Sequence, residues 1–152
     1  GYMVDQLCTE IGNILGLSHA YKAVLIGAGN LGQAIASHLS FETEGFTLVG
    51  IFDNADAKIG RTINGLTVRN IDTLERFCNL EKPTMAVLCV PRSAVESLSD
   101  RLYALGIRCF WNFSHYDINM KYGDAIVENV HLNDSLMTLC YRITNDPMRT
   151  TK

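Results

Sequence analysis

Three glycines follow an apolar run near the start of the chain, with the spacing G-x-G-x-x-G, at Gly27, Gly29 and Gly32. Gly27 permits a tight turn out of a strand, and Gly29 lacks a Cβ, so that a diphosphate can approach the backbone. Gly32 allows the following helix to pack close to the strand. Backbone N–H groups at the start of that helix, with its dipole, bind anions. The cofactor-binding residues predicted here are Gly27, Ala28, Gly29, Asn30, Leu31 and Gly32.

An acidic residue lies where a second strand should end. The apolar run 46–52 leads into Asp53, about 20 residues after the third glycine, where a carboxylate accepts hydrogen bonds from an adenosine ribose diol. The same carboxylate repels a 2′-phosphate, so the pattern predicts NAD(H) over NADP(H), a preference moderated by Lys58 and Arg61 in the following loop. The alternatives are a glycine turn with a structural role only, and Asp53 as a loop or N-cap carboxylate.

Composition restricts the class of protein. The 152 residues are 47% hydrophobic and 19% charged, as in one globular domain. A net charge of −3 argues against a nucleic-acid surface in these residues. We find no signal peptide and no apolar stretch of about 18 residues that would span a membrane. The five cysteines form no C-x-x-C pair, which predicts free thiols in a reducing cytoplasm; a redox-sensing cysteine is a minor alternative.

Apolar runs alternate with amphipathic stretches, in the order β-α-β-(turn)-α-β-α-β-β-α after an opening helix. Unbroken apolar runs such as 84–90 are typical of parallel strands that are covered on both faces. This order, with short connections, predicts the α/β class with a Rossmann-like, doubly wound, mostly parallel sheet. The predicted divisions are a leading helix in residues 1–20, a nucleotide-binding core in 21–130, and a C-terminal helix and tail in 131–152.

Local signals place the element boundaries. Asn64-Gly65 marks a hairpin turn, while Asp72 and Ser93 are predicted N-caps of the two helices that follow the hairpin. Strands are predicted at 22–26, 46–53, 66–68, 84–90, 107–113 and 125–130. Helices are predicted at 4–15, 31–39, 72–80, 93–104 and 133–143.

Ligands of such sheets bind beyond the carboxyl ends of the strands, where the strand order reverses. Val90 and Pro91 follow one predicted strand and Asn112 and Phe113 another, so these residues are candidates for contact with the nicotinamide end of the cofactor. The four histidines are scattered, and no catalytic triad or metal-ligand spacing appears. We therefore predict a binding module with no catalytic residue and no metal. The alternatives are a fragment of an NAD-dependent oxidoreductase and a CoA-binding module, against which Asp53 argues.

Short motifs spread over nearly the whole chain resemble those of a known family. They are Gly1-Tyr2-x-Val4, Val24-Leu25-Ile26-Gly27-x-Gly29-Asn30-Leu31-Gly32, Phe52-Asp53, Lys58-Ile59-Gly60, Val90-Pro91-Arg92, Gly106-Ile107, Asn112-Phe113 and Val127-Glu128-Asn129-Val130. Together they resemble the bacterial redox-sensing repressors called Rex. The resemblance also includes Lys58 among the cofactor-binding residues.

The resemblance implies a Rossmann domain that binds NADH tightly and NAD⁺ weakly, in a cytoplasmic homodimer whose C-terminal helices swap between subunits. It also implies an N-terminal winged-helix domain that binds operator DNA and is released by NADH; that domain would precede Gly1. The last helix carries an apolar stripe that packs either on its own sheet or, as we favour, on a second copy. The stripe consists of Leu132, Leu136, Leu139, Cys140 and Ile143.

Three positions depart from the family pattern. His38 stands where the family commonly has Tyr, and His131 where it commonly has Asp, two residues that link the nicotinamide pocket to the DNA-binding domain. Ser114-His115 replaces the usual Ala-Pro after Asn-Phe. Because imidazole titrates near neutrality, His38 and His131 put that linkage in question or make it pH-dependent. Ser114-His115 is expected to change the contacts with the nicotinamide ring.

Overall fold

The computed structural model describes residues 21–39, 41, 45–131 and 139–145. The predicted leading helix and the first part of the predicted last helix lie outside these residues. The strands are β1 (Tyr21–Ile26), β2 (Phe46–Asp53), β3 (Thr62–Ile63), β4 (Leu66–Asn70), β5 (Met85–Leu88), β6 (Cys109–Asn112) and β7 (Ile126–Asn129). The helices are α1 (Asn30–His38), α2 (Leu74–Glu81), α3 (Arg92–Ala104) and α4 (Ile118–Lys121), with a 3₁₀ turn at Ile71–Thr73. Residues 139–144 are also helical.

The strands form one sheet in the order β3-β4-β2-β1-β5-β6-β7. All neighbours are parallel except β3 and β4, which form the antiparallel hairpin. From β1 the chain builds outward through β2 to β4, then crosses to β5 on the other side of β1. The strand order therefore reverses between β1 and β5, and the predicted doubly wound, mostly parallel α/β fold is confirmed.

Alternate residues of β1 supply two separate cores. Val24 and Ile26 pack on one face of the sheet, with α2 and α3. Ala23 and Leu25 pack on the other face, with α1. All four side chains are buried, because successive strand residues point to opposite faces and both faces are covered by helices. This explains why the central strands have unbroken apolar sequences.

The hairpin turn is where the sequence predicts it. Asn64 and Gly65 have φ values of 49° and 83°, and positive φ at both central residues matches the right-handed twist of the two strands that they join. Asn tolerates this conformation better than most residues, and Gly adopts it without steric cost. The turn carries the chain from β3 into β4.

Two predicted N-caps are wrong. Asn70, not Asp72, accepts a hydrogen bond at the start of its segment, from the Asp72 N–H at 2.9 Å; an intervening 3₁₀ turn delays the α-helix to Leu74. The residue that precedes α3 is Pro91, whose ring cannot cap, so that Ser93 lies inside the helix. Proline favours an extended backbone directly before the helix, and the helix therefore begins at Arg92, one residue earlier than predicted.

The C-terminal part of the fold differs from prediction in its details. Helix α4, between β6 and β7, was not predicted, because it has only four residues and too short a pattern to show periodicity. In the last helix, Leu139 and Ile143 are 53% and 44% exposed, while Leu132 and Leu136 lie outside the described residues. Docking of this stripe on a second copy stays a prediction.

Within the described residues, no helix is both long and apolar enough to cross a membrane.

Candidate functional site

The glycine turn after β1 is closely packed on two sides and open on the third. A Cβ on Gly27, whose φ is +104°, would lie 2.3 Å from the carbonyl oxygen of Cys89, and a Cβ on Gly32 would lie 1.8 Å from the carbonyl oxygen of Gly27. Apart from Gly29 itself and its neighbours along the chain, no heavy atom lies within 4 Å of the Cβ position on Gly29. The first and third glycines therefore let strand and helix meet, and the second leaves space for a ligand to reach the backbone.

The start of α1 is suited to an anion. Gly29 is the N-cap residue and provides no side-chain hydrogen bond to the first turn, and no acidic residue occupies that turn. The first N–H groups of a helix have no partner within the helix, and they carry the positive end of its dipole. The open side of the turn thus presents backbone donors to a phosphate-sized ligand.

Asp53 holds the glycine turn against the end of β2. Its Oδ2 accepts a hydrogen bond from the Ala28 N–H at 2.7 Å, and its Oδ1 accepts one from the Ala55 N–H at 2.9 Å. An ionised carboxylate has about four acceptor positions. The two bonds therefore leave each oxygen able to accept a further hydrogen bond, as a ribose diol requires.

A crevice of about 390 Å³ opens at the reversal point between β1 and β5, in the size range of ligand sites. Five predicted residues line it: Gly27, Gly29, Asp53, Val90 and Pro91. The sequence analysis missed eight others: Ile26, Asn54, Ile71, Cys89, Ala94, Ser97, Leu98 and Arg101. The structure thus places Gly29, Asp53 and the apolar residues that follow β5 around one cavity.

The remaining predicted residues lie outside the lining of the crevice. Ala28 is buried beneath the turn, while Asn30, Leu31 and Gly32 belong to the first turn of α1. Lys58 lies in the loop after β2 and donates its N–H to the Ala55 carbonyl at 2.9 Å. Phe113 packs beside Trp111, with ring centroids 4.8 Å apart, and Asn112, the last residue of β6, is fully buried. Their contact with a cofactor stays a prediction.

Comparison with known proteins identifies the family. The family model described as "CoA binding domain" matches residues 18–116. The redox-sensing transcriptional repressor Rex of Thermoanaerobacter sp. (strain X514) is 43% identical over 148 residues, which are 97% of this chain and 66% of the relative. The chain belongs to the Rex family. It spans about two thirds of the length of the curated relatives that it matches.

Solved structures agree with this assignment. The Rex-family repressor RSP in complex with β-NADH is 41% identical, with a TM-score of 0.76, and the match covers 97% of this chain and 70% of that one. RSP in complex with β-NAD⁺ and operator DNA matches equally well, at 41% identity and a TM-score of 0.76, over 97% of this chain and 67% of that one. Because these relatives are named as repressors, the prediction that this Rex-family chain is not an enzyme is confirmed.

Arg101 is the charged residue of the crevice that the sequence analysis missed. Its Nε and one terminal nitrogen donate to the two carboxylate oxygens of Glu75, at 2.6 and 2.7 Å, and the same terminal nitrogen donates to the Ile71 carbonyl at 2.8 Å. These hydrogen bonds raise the pKa of Arg101 and lower that of Glu75. Since 26 residues separate the two partners, no local spacing in a Rex sequence would reveal the pair.

Three cysteines lie near the sheet: Cys78 is buried, and Cys89 and Cys109 are half-buried. Burial raises the pKa of Cys89, in the crevice wall, to about 12, that of Cys78 to about 11, and that of Cys109 above its usual range. These groups are protonated at neutral pH, and a protonated thiol reacts slowly with oxidants. These three thiols are therefore poor candidates for the redox-sensing cysteine that stands as a minor alternative.

Two of the positions that depart from the family pattern meet in space. The Nδ1 atoms of His115 and His131 are 3.3 Å apart, although 16 residues separate them. The third such residue, His38, is the last residue of α1 and is exposed. The sequence analysis treated these histidines as isolated, because their proximity depends on the register between β6 and β7.

Proposed function

We propose that this chain is the NAD(H)-binding sensor domain of a redox-responsive transcriptional repressor. The observation that carries the proposal is that Gly29 and Asp53 line one crevice at the reversal of strand order. Membership of the Rex family supports it, as does the 41% identity to a repressor solved with NADH. The crevice supplies both polar elements that a dinucleotide requires, an open backbone for the diphosphate and a carboxylate for the ribose.

The residues divide the crevice into two ends. The diphosphate would lie over Gly29 at the start of α1, and the adenosine ribose would donate its hydroxyls to Asp53. Ile71 follows β4, and Arg101 of α3 donates a hydrogen bond to its carbonyl at 2.8 Å, so both lining residues are proposed to lie on the adenosine side. Val90 and Pro91 would contact the nicotinamide ring, and Phe113 is proposed to join them. The bound cofactor contributes a redox-dependent charge on that ring.

Discrimination between the two redox forms is proposed to rest on this charge. The wall after β5 consists of Cys89, Val90, Pro91 and Ala94, and the Cys89 thiol is neutral because burial raises its pKa to about 12. A neutral dihydronicotinamide loses little by entering such a wall, whereas a cationic nicotinamide loses hydration without gaining an anionic partner. We therefore expect NADH to bind more tightly than NAD⁺.

The proposed output is a population shift in a homodimer. If NADH binds the DNA-releasing arrangement better than the DNA-binding one, that difference in affinity is the free energy that moves the equilibrium. A difference of about 1.4 kcal/mol gives a tenfold change.

We propose that a winged-helix domain outside this chain contacts operator DNA, and that the last helix joins the two subunits. The whole assembly would act in the cytoplasm, in keeping with four free cysteines among the described residues.

CoA is a second candidate ligand, because the matching family model is described as a CoA-binding domain. CoA carries a phosphate on its ribose, so it lacks the free diol that Asp53 is placed to accept. That phosphate would also meet the carboxylate as a like charge. Asp53 therefore favours NAD(H) over both CoA and NADP(H).

Calorimetric titration of the chain with NADH, NAD⁺, NADPH and CoA tests the ligand. The expected order is NADH tightest, then NAD⁺, with NADPH and CoA weaker than NADH by at least about tenfold, which corresponds to about 1.4 kcal/mol. Tighter binding of CoA than of NADH would replace the proposal with the second candidate. Absence of binding by all four would remove the crevice as a nucleotide site.

The regulatory step needs the complete gene product. In a gel-shift experiment with promoter DNA, NADH is expected to release the protein, while NAD⁺ at the same concentration is not. Release by both forms alike would retain nucleotide binding but contradict redox sensing.

A further inference from the structure

Two histidine rings face each other beyond the carboxyl end of the sheet, outside the lining of the nucleotide crevice. His115 lies in the loop that follows β6, and His131 lies two residues beyond the end of β7. Both are exposed. We propose that their Nδ1 atoms together bind a divalent transition-metal ion of the Zn²⁺ type. Neither histidine lines the crevice, so Zn²⁺ binding can be measured in the absence of NAD(H).

The distances between the two rings match a tetrahedral metal site. The Nδ1 atoms are 3.3 Å apart, and the ring centroids are 5.2 Å apart. Imidazole nitrogens lie about 2.0–2.1 Å from a tetrahedral zinc ion, which places two such nitrogens about 3.3 Å apart and the two ring centroids about 5.2 Å apart. Both observed distances therefore agree with convergence of the two nitrogen lone pairs on one point between the rings.

A hydrogen bond between the two rings is the alternative account of this geometry. The separation of 3.3 Å is long beside the range of about 2.7–3.2 Å that N–H···O hydrogen bonds have. Such a bond also needs one Nδ1 to carry a proton, whereas a metal ion uses the lone pair of both. Metal binding would therefore require both rings to adopt the tautomer that carries its proton on Nε2.

The backbone beside both histidines is fixed by one buried residue. Asn112 is fully buried, and its Oδ1 accepts hydrogen bonds from the N–H and Oγ of Ser114, at 3.1 and 2.7 Å. Its Nδ2 donates to the Tyr116 carbonyl at 2.8 Å and to the Asn129 Oδ1 at 2.9 Å. Its own carbonyl accepts from the Val130 N–H at 2.9 Å. The residues that flank the first histidine and precede the second are thus held together before any ion binds.

The chemistry of the donors selects the ion. Neutral imidazole suits Zn²⁺, Ni²⁺ and Cu²⁺, whereas Mg²⁺ and Ca²⁺ prefer oxygen ligands. Within the part of the chain that the structure describes, no group of three or more His, Cys, Asp or Glu side chains could hold a metal ion. The exposure of both rings leaves room for further ligands, water among them, to complete the coordination shell.

Zn²⁺ titration of the tag-free chain, in a buffer with a non-thiol reductant, tests the site. Calorimetry should show one bound Zn²⁺ per chain, with loss of this binding in both H115A and H131A. H38A is the matched control, since it removes an exposed histidine elsewhere, and it should bind Zn²⁺ as the unchanged protein does. Mg²⁺ should give no binding heat.

Three results would overturn the proposal: no Zn²⁺ binding by the unchanged chain, binding that survives in either H115A or H131A, or equal loss in H38A. Thermal unfolding shows whether each variant folds. A second measurement needs no variant of the pair: nitrogen NMR of the histidine rings should show Zn²⁺ shifting the Nδ1 signals of two rings, and a shift confined to Nε2 atoms would reject the site.

Discussion

The carboxylate of Asp53 accepts a hydrogen bond from the backbone N–H of Ala28 at 2.7 Å, across 25 residues of sequence. The acidic residue at the end of β2 is therefore part of the glycine turn itself, in addition to its proposed contact with ribose. A substitution at this position has two separable consequences, one for folding and one for binding.

Asp53→Ala is expected to weaken NADH binding by about 1–3 kcal/mol, because polar groups of the ribose and the turn lose their partner. It should also lower the free energy of unfolding by a comparable amount, since the N–H groups of Ala28 and Ala55 lose their acceptor. Calorimetric titration measures the first effect and urea unfolding the second. Asp56→Ala, at an exposed position in the same loop, is the control; unchanged NADH affinity in Asp53→Ala would remove Asp53 from the site.

Two glycine substitutions should separate space for a ligand from space for the fold. In Gly29→Ala the new methyl group meets no protein atom within 4 Å, so stability should change by less than about 1 kcal/mol. The methyl group would occupy the approach of the diphosphate, and NADH affinity should fall by at least about tenfold, or about 1.4 kcal/mol.

Gly32→Ala is the counterpart. Its Cβ would lie 1.8 Å from the Gly27 carbonyl oxygen, so strand and helix must move apart, at a cost of about 1–3 kcal/mol in the free energy of unfolding. Urea unfolding and NADH titration of both variants provide the comparison. If Gly29→Ala keeps full affinity, the diphosphate does not lie over this turn.

The Glu75–Arg101 pair should make stability depend on pH. Arg101 lowers the pKa of Glu75, so the native state favours the carboxylate, and its contribution is present above the ordinary Glu pKa and is lost as pH falls through the lower native value. Glu75→Gln should therefore cost about 0.5–1 kcal/mol at pH 7, a figure reduced because the pair is partly exposed. The difference from the unchanged protein should shrink as pH falls through 4, as urea unfolding would show.

The matched control for that pair is Glu81→Gln. The Lys22–Glu81 ion pair has a single contact of 3.0 Å, and Lys22 is more exposed than Arg101, so its loss should change stability by less than about 0.5 kcal/mol. An equal effect of the two substitutions at pH 7 would contradict the role assigned to the bidentate geometry.

Cys89 should resist alkylation although it lines the crevice. Burial raises the pKa of its thiol to about 12, so a very small fraction is thiolate at neutral pH. Iodoacetamide at pH 7.5 should modify the exposed Cys140 well before Cys89, and peptide mass mapping over time measures both. Denatured protein, in which both should react alike, is the control. Equal rates in the native protein would show that the wall of the crevice opens to solvent.

The predicted parts of the site are those that local chain geometry controls. Gly27, Gly29 and Gly32 belong to a single strand-turn-helix unit, whose steric requirements act over six residues and so leave a spacing in the sequence. Asp53 follows the next strand, and in parallel sheets the ends of neighbouring strands meet at one edge.

The N-caps predicted at Asp72 and Ser93 were wrong. Helix starts depend on one or two residues, and a neighbouring turn or proline overrides their effect.

The amino-acid sequence by itself thus determined the alternation of strands and helices, the glycine turn and the acidic residue after β2, since each depends on side-chain periodicity or on contacts between near neighbours. Only the tertiary structure decided that Arg101 of the crevice wall pairs with Glu75, that Asn112 joins two loops, and that His115 faces His131. These partners are 26, 17 and 16 residues apart. The order and register of the parallel strands bring them together, and no short-range pattern records that arrangement.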